Sequence, residues 1–346
     1  MTLQTIADAL GVSRTTVSNA YNRPDQLAPE LRQKVLETAA GLGYAGPDPA
    51  ARRLRSGRRG AIGLMFSERL SYAFTDPGAV GFLQGLTEAT EASGHELLLL
   101  PGMRGEEQEV GSVRDAVVDA FCLYCMPDGH PAVRAALDRR VPVVIVDEPR
   151  QHAGFFVGID DRGGAEAAAA HLAALGHERV GIIVDRLVDD HREGLAGPER
   201  VAASNCNVSR ERMAGYMAGL DHGHPVQVYE AYANFAECGA RGAHELLALE
   251  PRPTALLCST DVLAFGAMDA LREAGLDIPG DVSVVGFDDV PAAARLGLTS
   301  VRQPLVEKGR EAGRLLIEPG TEREVVLPVE LVPRASTGPP PTGGTA

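Results

Sequence analysis

The stretch Thr5–Asn22, "TIADALGVSRTTVSNAYN", reads as two short helices joined by a turn. Ile6, Ala7 and Leu10 form one apolar stripe, and "LGV" supplies a tight glycine turn. The Ser13 hydroxyl can cap a second helix, on which Val17 and Tyr21 face inward. Two short helices about a glycine turn have the form of a helix-turn-helix. A third helical pattern follows in "PELRQKVLETAAGLG", with Pro29 in its first turn and Leu31, Val35, Ala39 and Leu42 inward. Ala28 stands where a capping hydroxyl would be expected, which weakens that start.

The chain has 346 residues, 45% of them hydrophobic, enough for two or three domains with a sizeable core. Its formal charge is −14, which at first sight disfavours a polyanionic partner. The charge is uneven, however. Residues 1–60 carry nine Arg or Lys against five acids, about +4, which leaves about −18 for the remainder. Beyond a Debye length of roughly 8 Å the remote acids are screened, so the basic end can still meet phosphates. No basic segment leads into an apolar run, and no stretch approaches the roughly 18 apolar residues of a membrane span, so a soluble cytoplasmic protein is expected. Five cysteines make no disulfide framework; Cys122 and Cys125 sit three apart in a strand-like run, facing opposite ways.

From Ala61 onward, apolar runs alternate with amphipathic helices. The strand candidates are 61–66, 96–100, 120–126, 142–147, 180–184, 255–259 and 282–288, each apolar on both faces as a helix-covered parallel strand must be. Helical patterns at 164–176 and 261–275 each end on a glycine suited to a left-handed cap. The class is α/β, doubly wound, and its length suggests two lobes with a ligand crevice beyond the strands' carboxyl ends.

If the second helix enters a DNA major groove, Arg14 and Thr15 at its start and Asn19 one turn on can meet base edges. Thr5, Ser13, Thr16, Ser18 and Asn22 suit phosphates, which position without specifying. On spacing alone, a small helical cap with a polar face competes with this reading. "HGH" at 222–224 reads as a solvated turn in preference to a metal site, and no phosphate-binding loop, nucleophile elbow or H-E-x-x-H helix occurs. Neither catalysis nor a cofactor is expected.

The runs "TIADALGVSRTTVSNAYN", "LRQKVLETAAGLGY", "PAARRLRSG", "VGIDDRGGAEAAAAHLAALGHERVGII", "STDVLAFGAMDALREAGLDIPGDVSVVGFDD" and "LTSVRQP" closely resemble the lactose and purine repressor (LacI/GalR) family across nearly the whole chain. The resemblance implies an N-terminal helix-turn-helix DNA-binding domain (1–45), a hinge helix or linker (46–60) and a periplasmic-binding-protein-like core of two doubly wound α/β subdomains (61–332). The N-lobe would hold about 61–158 plus 291–318 and the C-lobe about 159–290 plus 319–332, with a disordered tail at 333–346. Asn19 departs from the arginine usual in the family.

By the same resemblance Leu54 would wedge into the minor groove at the operator's centre, flanked by basic Arg52 and Arg53. Tyr72, Phe74, Asp76, Asp160, Arg212, Phe235, Asp261 and Asp288 match positions lining or bordering the family's cleft, where aromatic walls and Asp/Arg groups suit a sugar-like or nucleoside-like effector. Helix capping competes with that role at Asp261. The implied function is a ligand-responsive regulator, most often a repressor, binding near-palindromic operator DNA as a homodimer. A corepressor-dependent regulator, or a cytoplasmic sugar- or nucleoside-binding α/β protein, is the alternative.

Overall fold

The computed structural model describes residues 2–46, 60–102, 105–150, 154–220, 223 and 226–341. Arg52, Arg53 and Leu54 of the expected hinge, and His222 and His224, lie outside the described residues. The chain divides into two units, Met1–Gly60 and Ala61–Ala346.

The first unit contains α1 (Leu3–Leu10), α2 (Arg14–Asn22) and α3 (Pro29–Gly41). Gly11 sits at φ 64°, the left-handed conformation that closes α1 and lets the chain turn. Its core is Ile6, Ala7, Val17, Ala20, Val35 and Ala39, with Leu10, Tyr21, Leu31 and Leu42 packed around them. α3 starts at Ala28 with no side-chain cap and relies on Pro29, whose missing N–H needs no partner.

In the second unit the strands are β1 (Ala61–Phe66), β2 (Glu96–Leu100), β3 (Ala120–Tyr124), β4 (Val143–Val146) and β5 (Phe155–Ile159). They continue as β6 (Val180–Val184), β7 (Gly194–Leu195), β8 (Gln227–Glu230), β9 (Ala255–Cys258), β10 (Ser283–Asp288), β11 (Thr299–Arg302), β12 (Glu324–Leu327) and β13 (Glu330–Val332). One sheet runs β12-β5-β4-β3-β1-β2, all parallel. The other runs β13-β11-β10-β9-β6-β8-β7, parallel except for its two outer strands. Each sheet repeats the same winding, reversing direction between β1 and β3 and again between β6 and β9. In such sheets a crevice opens at the reversal, beyond the strands' carboxyl ends.

The lobe boundaries expected from sequence need correction. β11 pairs with β10 in the C-lobe sheet, and β12 pairs with β5 in the N-lobe sheet. The chain first crosses directly after β5; the two later crossings therefore fall at 302–305 and 327–330, and the helix Pro291–Leu296 stays with the C-lobe. Register decides this: a polar-edged strand such as "TSVR" has no lobe until a neighbour pairs with it.

The segment from Pro333 is likewise not disordered over its described part, up to residue 341. Ser336 is buried, accepts from Thr299 N at 2.8 Å and donates to Val284 O at 2.6 Å. Thr337 meets His171 at 2.9 Å, and the Gly338 carbonyl meets His177 at 2.8 Å. Proline and glycine content signalled lack of helix and strand; extended chain held by side-chain bonds has that composition too.

Candidate functional site

On α2, the Ser13 hydroxyl accepts the Thr16 amide at 3.0 Å and lies 2.8 Å from the Thr16 hydroxyl. That cap fixes where the helix begins, so Arg14 and Thr15 stand on its exposed first turn. Asn19 is half-buried one turn later, and Asn22 donates back to Ser18, at 3.0 Å to its carbonyl and 3.1 Å to its hydroxyl. Thr5 and Thr2 form the same kind of cap on α1, with the Thr5 amide 3.3 Å from the Thr2 hydroxyl. Arg14 and Thr15 have room to reach outward, while Ser13, Thr16, Ser18 and Asn22 are held in local bonds.

Between the two lobes lies a chamber of about 120 Å³. It shares Glu68, Tyr72 and Arg186 with a wider outer cleft of about 750 Å³. Both sit where the winding rule places them. Ser67 follows β1, Cys125 follows β3, Asp147 and Glu148 follow β4, Asp185 and Arg186 follow β6, and Ser259 and Thr260 follow β9. Cys125, Asp147 and Asp288, all facing the chamber, take positive φ of 52°, 64° and 116°. Non-glycine residues rarely adopt that conformation, and it clusters at binding sites because it aims side chains a regular strand cannot.

Six carboxylates line the chamber: Glu68, Asp76, Asp147, Glu148, Asp185 and Asp288. Its guanidinium groups are paired, although Arg186 Nε, buried, has no hydrogen-bond partner among the described residues. Arg212 donates to Asp161 at 2.8 Å and to the Ser259 carbonyl, and stacks 3.7 Å over the Phe287 ring. Arg186 pairs with Glu68 at 2.6 Å across the lobes. Below the chamber Lys308, only 1% exposed, donates 2.9 Å bonds to both Asp147 oxygens and a 2.6 Å bond to Gln303, whose amide donates to Asp288 at 2.5 Å. A continuous relay thus runs from the N-lobe through Lys308 and Gln303 to Asp288 in the C-lobe.

Burial pushes the Glu148 carboxyl up to about 8, against the favourable amide of Val208. Burial raises Asp288 as well, with Arg212 opposing the shift and Asp76 adding to it. Burial raises the Tyr72 hydroxyl far above its ordinary value, with Asp76 contributing. The chamber is therefore rich in hydrogen-bond acceptors, with the Tyr72 hydroxyl and the raised Glu148 carboxyl as donors among them, which suits hydroxyl groups.

Of the cleft residues expected from sequence, Tyr72, Asp76, Arg212 and Asp288 line the chamber, and Phe235 stands with Tyr72 in the outer cleft, their rings 6.0 Å apart and edge to face. Three do not. Phe74 is 61% exposed on the neighbouring turn and lines neither cavity. Asp160 is exposed and accepts the Gly163 amide at 2.9 Å as a helix cap. Asp261 is fully buried behind the chamber, accepting from Ser300 at 2.5 Å and Val290 N at 2.8 Å. The cap of its helix is Thr260, so it fills neither expected role.

Glu68, Asp147, Glu148, Asp185, Arg186, Asn234, Thr260 and Gln303 were missed. Most follow an apolar strand run by one or two residues. Their position was the usable signal, since in this winding the first polar residues beyond each strand face the crevice.

Residues 169–337 match the family described as a periplasmic binding protein-like domain. The chain is 43% identical to the HTH-type transcriptional regulator Rv3575c of Mycobacterium tuberculosis, over 98% of this chain and 97% of that one. Among solved structures, a LacI-family transcriptional regulator from Corynebacterium glutamicum superposes with a TM-score of 0.74 at 36% identity, covering 96% of this chain and 98% of that one. The transcriptional regulator CelR in complex with cellobiose superposes at 0.69 and 29% identity, covering 97% and 99%.

A helix-turn-helix joined in one chain to a two-lobed α/β body with an interlobe cleft defines a one-chain transcriptional regulator. The protein belongs to the LacI/GalR family of HTH-type transcriptional regulators.

Proposed function

We propose that the protein is a repressor that binds a near-palindromic operator as a homodimer and is released by a small sugar-like effector held between its lobes. It works beside the chromosome in the cytoplasm, and the cleft binds without transforming its ligand. The observation that carries the reading is the chamber itself, an acceptor-rich cavity at the winding reversal of two sheets and bridged by residues of both. The cellobiose complex of CelR supports a hydroxyl-rich ligand for this kind of cleft.

Two copies would set two α2 helices in successive major grooves, with Arg14, Thr15 and Asn19 at base edges. Thr5, Ser13, Thr16, Ser18 and Asn22 would meet phosphates, while Arg52, Arg53 and Leu54 would engage the operator's centre. A ligand that favours one arrangement of the lobes shifts the population toward it, and only that difference in affinity can change operator binding.

The test is thermal-shift screening against monosaccharides, disaccharides, polyols and nucleosides, followed by operator binding with and without each hit. A cognate effector raises the melting temperature and weakens operator binding. A hit that stabilises the protein and strengthens DNA binding would reverse the repressor-release reading, and a protein that binds all duplexes alike would remove it.

A further inference from the structure

Four side chains of the chamber join the lobes through a single residue. Asn234, in the loop after β8 of the C-lobe, donates from Nδ2 to the Tyr72 hydroxyl at 2.9 Å and to Asp76 Oδ1 at 3.1 Å, both in the N-lobe. Its Oδ1 accepts the Thr260 hydroxyl at 2.6 Å, so the amide's orientation is determined by its partners. Each end of this chain is a helix N-terminus. Asp76 Oδ2 accepts the Ala79 amide at 2.7 Å, capping the helix Pro77–Ala92, and Thr260 Oγ1 accepts the Leu263 amide at 3.1 Å, capping the helix Asp261–Glu273. One helix of each lobe is thus tied to the other, cap to cap, across the cleft. Tyr72, Asp76, Asn234 and Thr260 all line the chamber.

We infer that Asn234 is the positioning residue that makes cavity occupancy into lobe position: it clasps the lobes in the ligand-free protein, and a ligand entering the chamber must meet the clasp. This rests on the regulator reading above. A ligand hydroxyl that takes over a bond of Asn234, Tyr72 or Asp76 changes what holds the lobes together, which gives the ligand the differential contact that a population shift requires. The clasp is polarised: donors on Asn234 face acceptors in the N-lobe, with the Asp76 carboxylate among them. Reversing that polarity on one side breaks it, and reversing it on both sides restores it.

The experiment compares the full-length wild type, Asn234→Ala, Asn234→Asp and the double variant Asn234→Asp with Asp76→Asn, all without ligand. Asparagine caps a helix as well as aspartate does, so the double variant keeps the N-terminus of Pro77–Ala92 satisfied. Hydrogen exchange is followed on peptides covering 72–80 and 256–264, and affinity is measured for a duplex selected from random DNA by the wild type.

Asn234→Asp should speed exchange on both sides of the cleft by about tenfold, since it turns a charge-assisted bond into a repulsion. Asn234→Ala should do so by less, and the double variant should return to the wild-type rate. Operator affinity should move and return with the same variants. Faster exchange confined to the C-lobe peptide, or a double variant that melts like the wild type yet stays open, overturns the clasp. Unchanged operator affinity in an opened variant overturns its role in signalling. If the wild type selects no duplex, the regulator reading fails, and the exchange data still decide the clasp.

Discussion

Glu148 shows how much a single position in the cleft depends on its surroundings. In an unfolded chain it titrates near 4.5; buried and aimed at the start of the helix Asn207–Gly219, its carboxyl is held up to about 8. The folded protein therefore keeps a proton that the unfolded chain releases above its ordinary value. Its contribution to stability is fully present below about 4.5 and is lost as pH rises toward about 8. Denaturant melts from pH 5 to 9 should show the wild type losing stability across this window, and Glu148→Gln should flatten the curve. Asp288 and Asp261, also raised by burial, keep a slope of the same sign in the variant, so the slope lessens without vanishing. An equal slope in wild type and variant would mean that Glu148 is ionised in the fold.

On the DNA side the residue to test is Asn19. It stands half-buried one turn beyond the exposed Arg14 and Thr15, and it can bond an adenine where arginine would choose guanine. Selection from random duplexes should give Asn19→Arg a different preferred base, at a discrimination of about 1–3 kcal/mol for one bidentate contact. Identical preferences would show that the position reads no base.

Among the elements, helix pairs carry the closest packing, and glycines permit it. The helices Ala236–Leu247 and Asp261–Glu273 meet at Gly266, where a methyl group would overlap the Ala236 carbonyl oxygen and crowd the Ala240 amide. The helices Pro77–Ala92 and Leu305–Ile317 meet likewise at Gly85, against Val306. Backbone cannot swing aside as a side chain can. Gly266→Ala should therefore cost about 3 kcal/mol, the upper end of ordinary overpacking, despite alanine's better helix propensity. Urea unfolding measures it. A neutral or stabilising result would mean that the two helices can separate without loss, against the packing of Leu263, Ala267 and Leu271 around them.

Over the whole molecule, the C-terminal segment ties the C-lobe's strand ends together. Ser336 bridges β10 and the start of β11, and His177 joins Thr254, Ser283 and the Gly338 carbonyl. Ending the chain after Val332 would take the Ser336 hydroxyl from Thr299 N and Val284 O, and the Gly338 carbonyl from His177 and Ser283. Such a truncation should lower stability by about 3 kcal/mol, from several bonds at roughly 1 kcal/mol each. A denaturation midpoint equal to that of the full-length chain would make the segment a passive appendage.

Much of this protein was legible along the chain. The stripes of Ile6, Val17 and Val35, the Ser13 cap and the both-face apolar runs of β1, β3, β6 and β10 specify helix, turn and buried strand, because those signals act between residues a few positions apart. Tyr72, Asp76, Arg212 and Asp288 could be placed at the cleft only through resemblance. Folding decided the rest. β11 took its lobe from β10, on the far side of the helix Pro291–Leu296, β12 took its lobe from β5, more than a hundred residues earlier, and Asp261 was withdrawn from the cleft by Ser300 and Val290. Asn234, Gln303 and Lys308 acquired their roles from groups in other elements, at distances that no local pattern encodes. Local propensity selects the elements; burial and long-range hydrogen bonding select which polar residues face a ligand and which face each other.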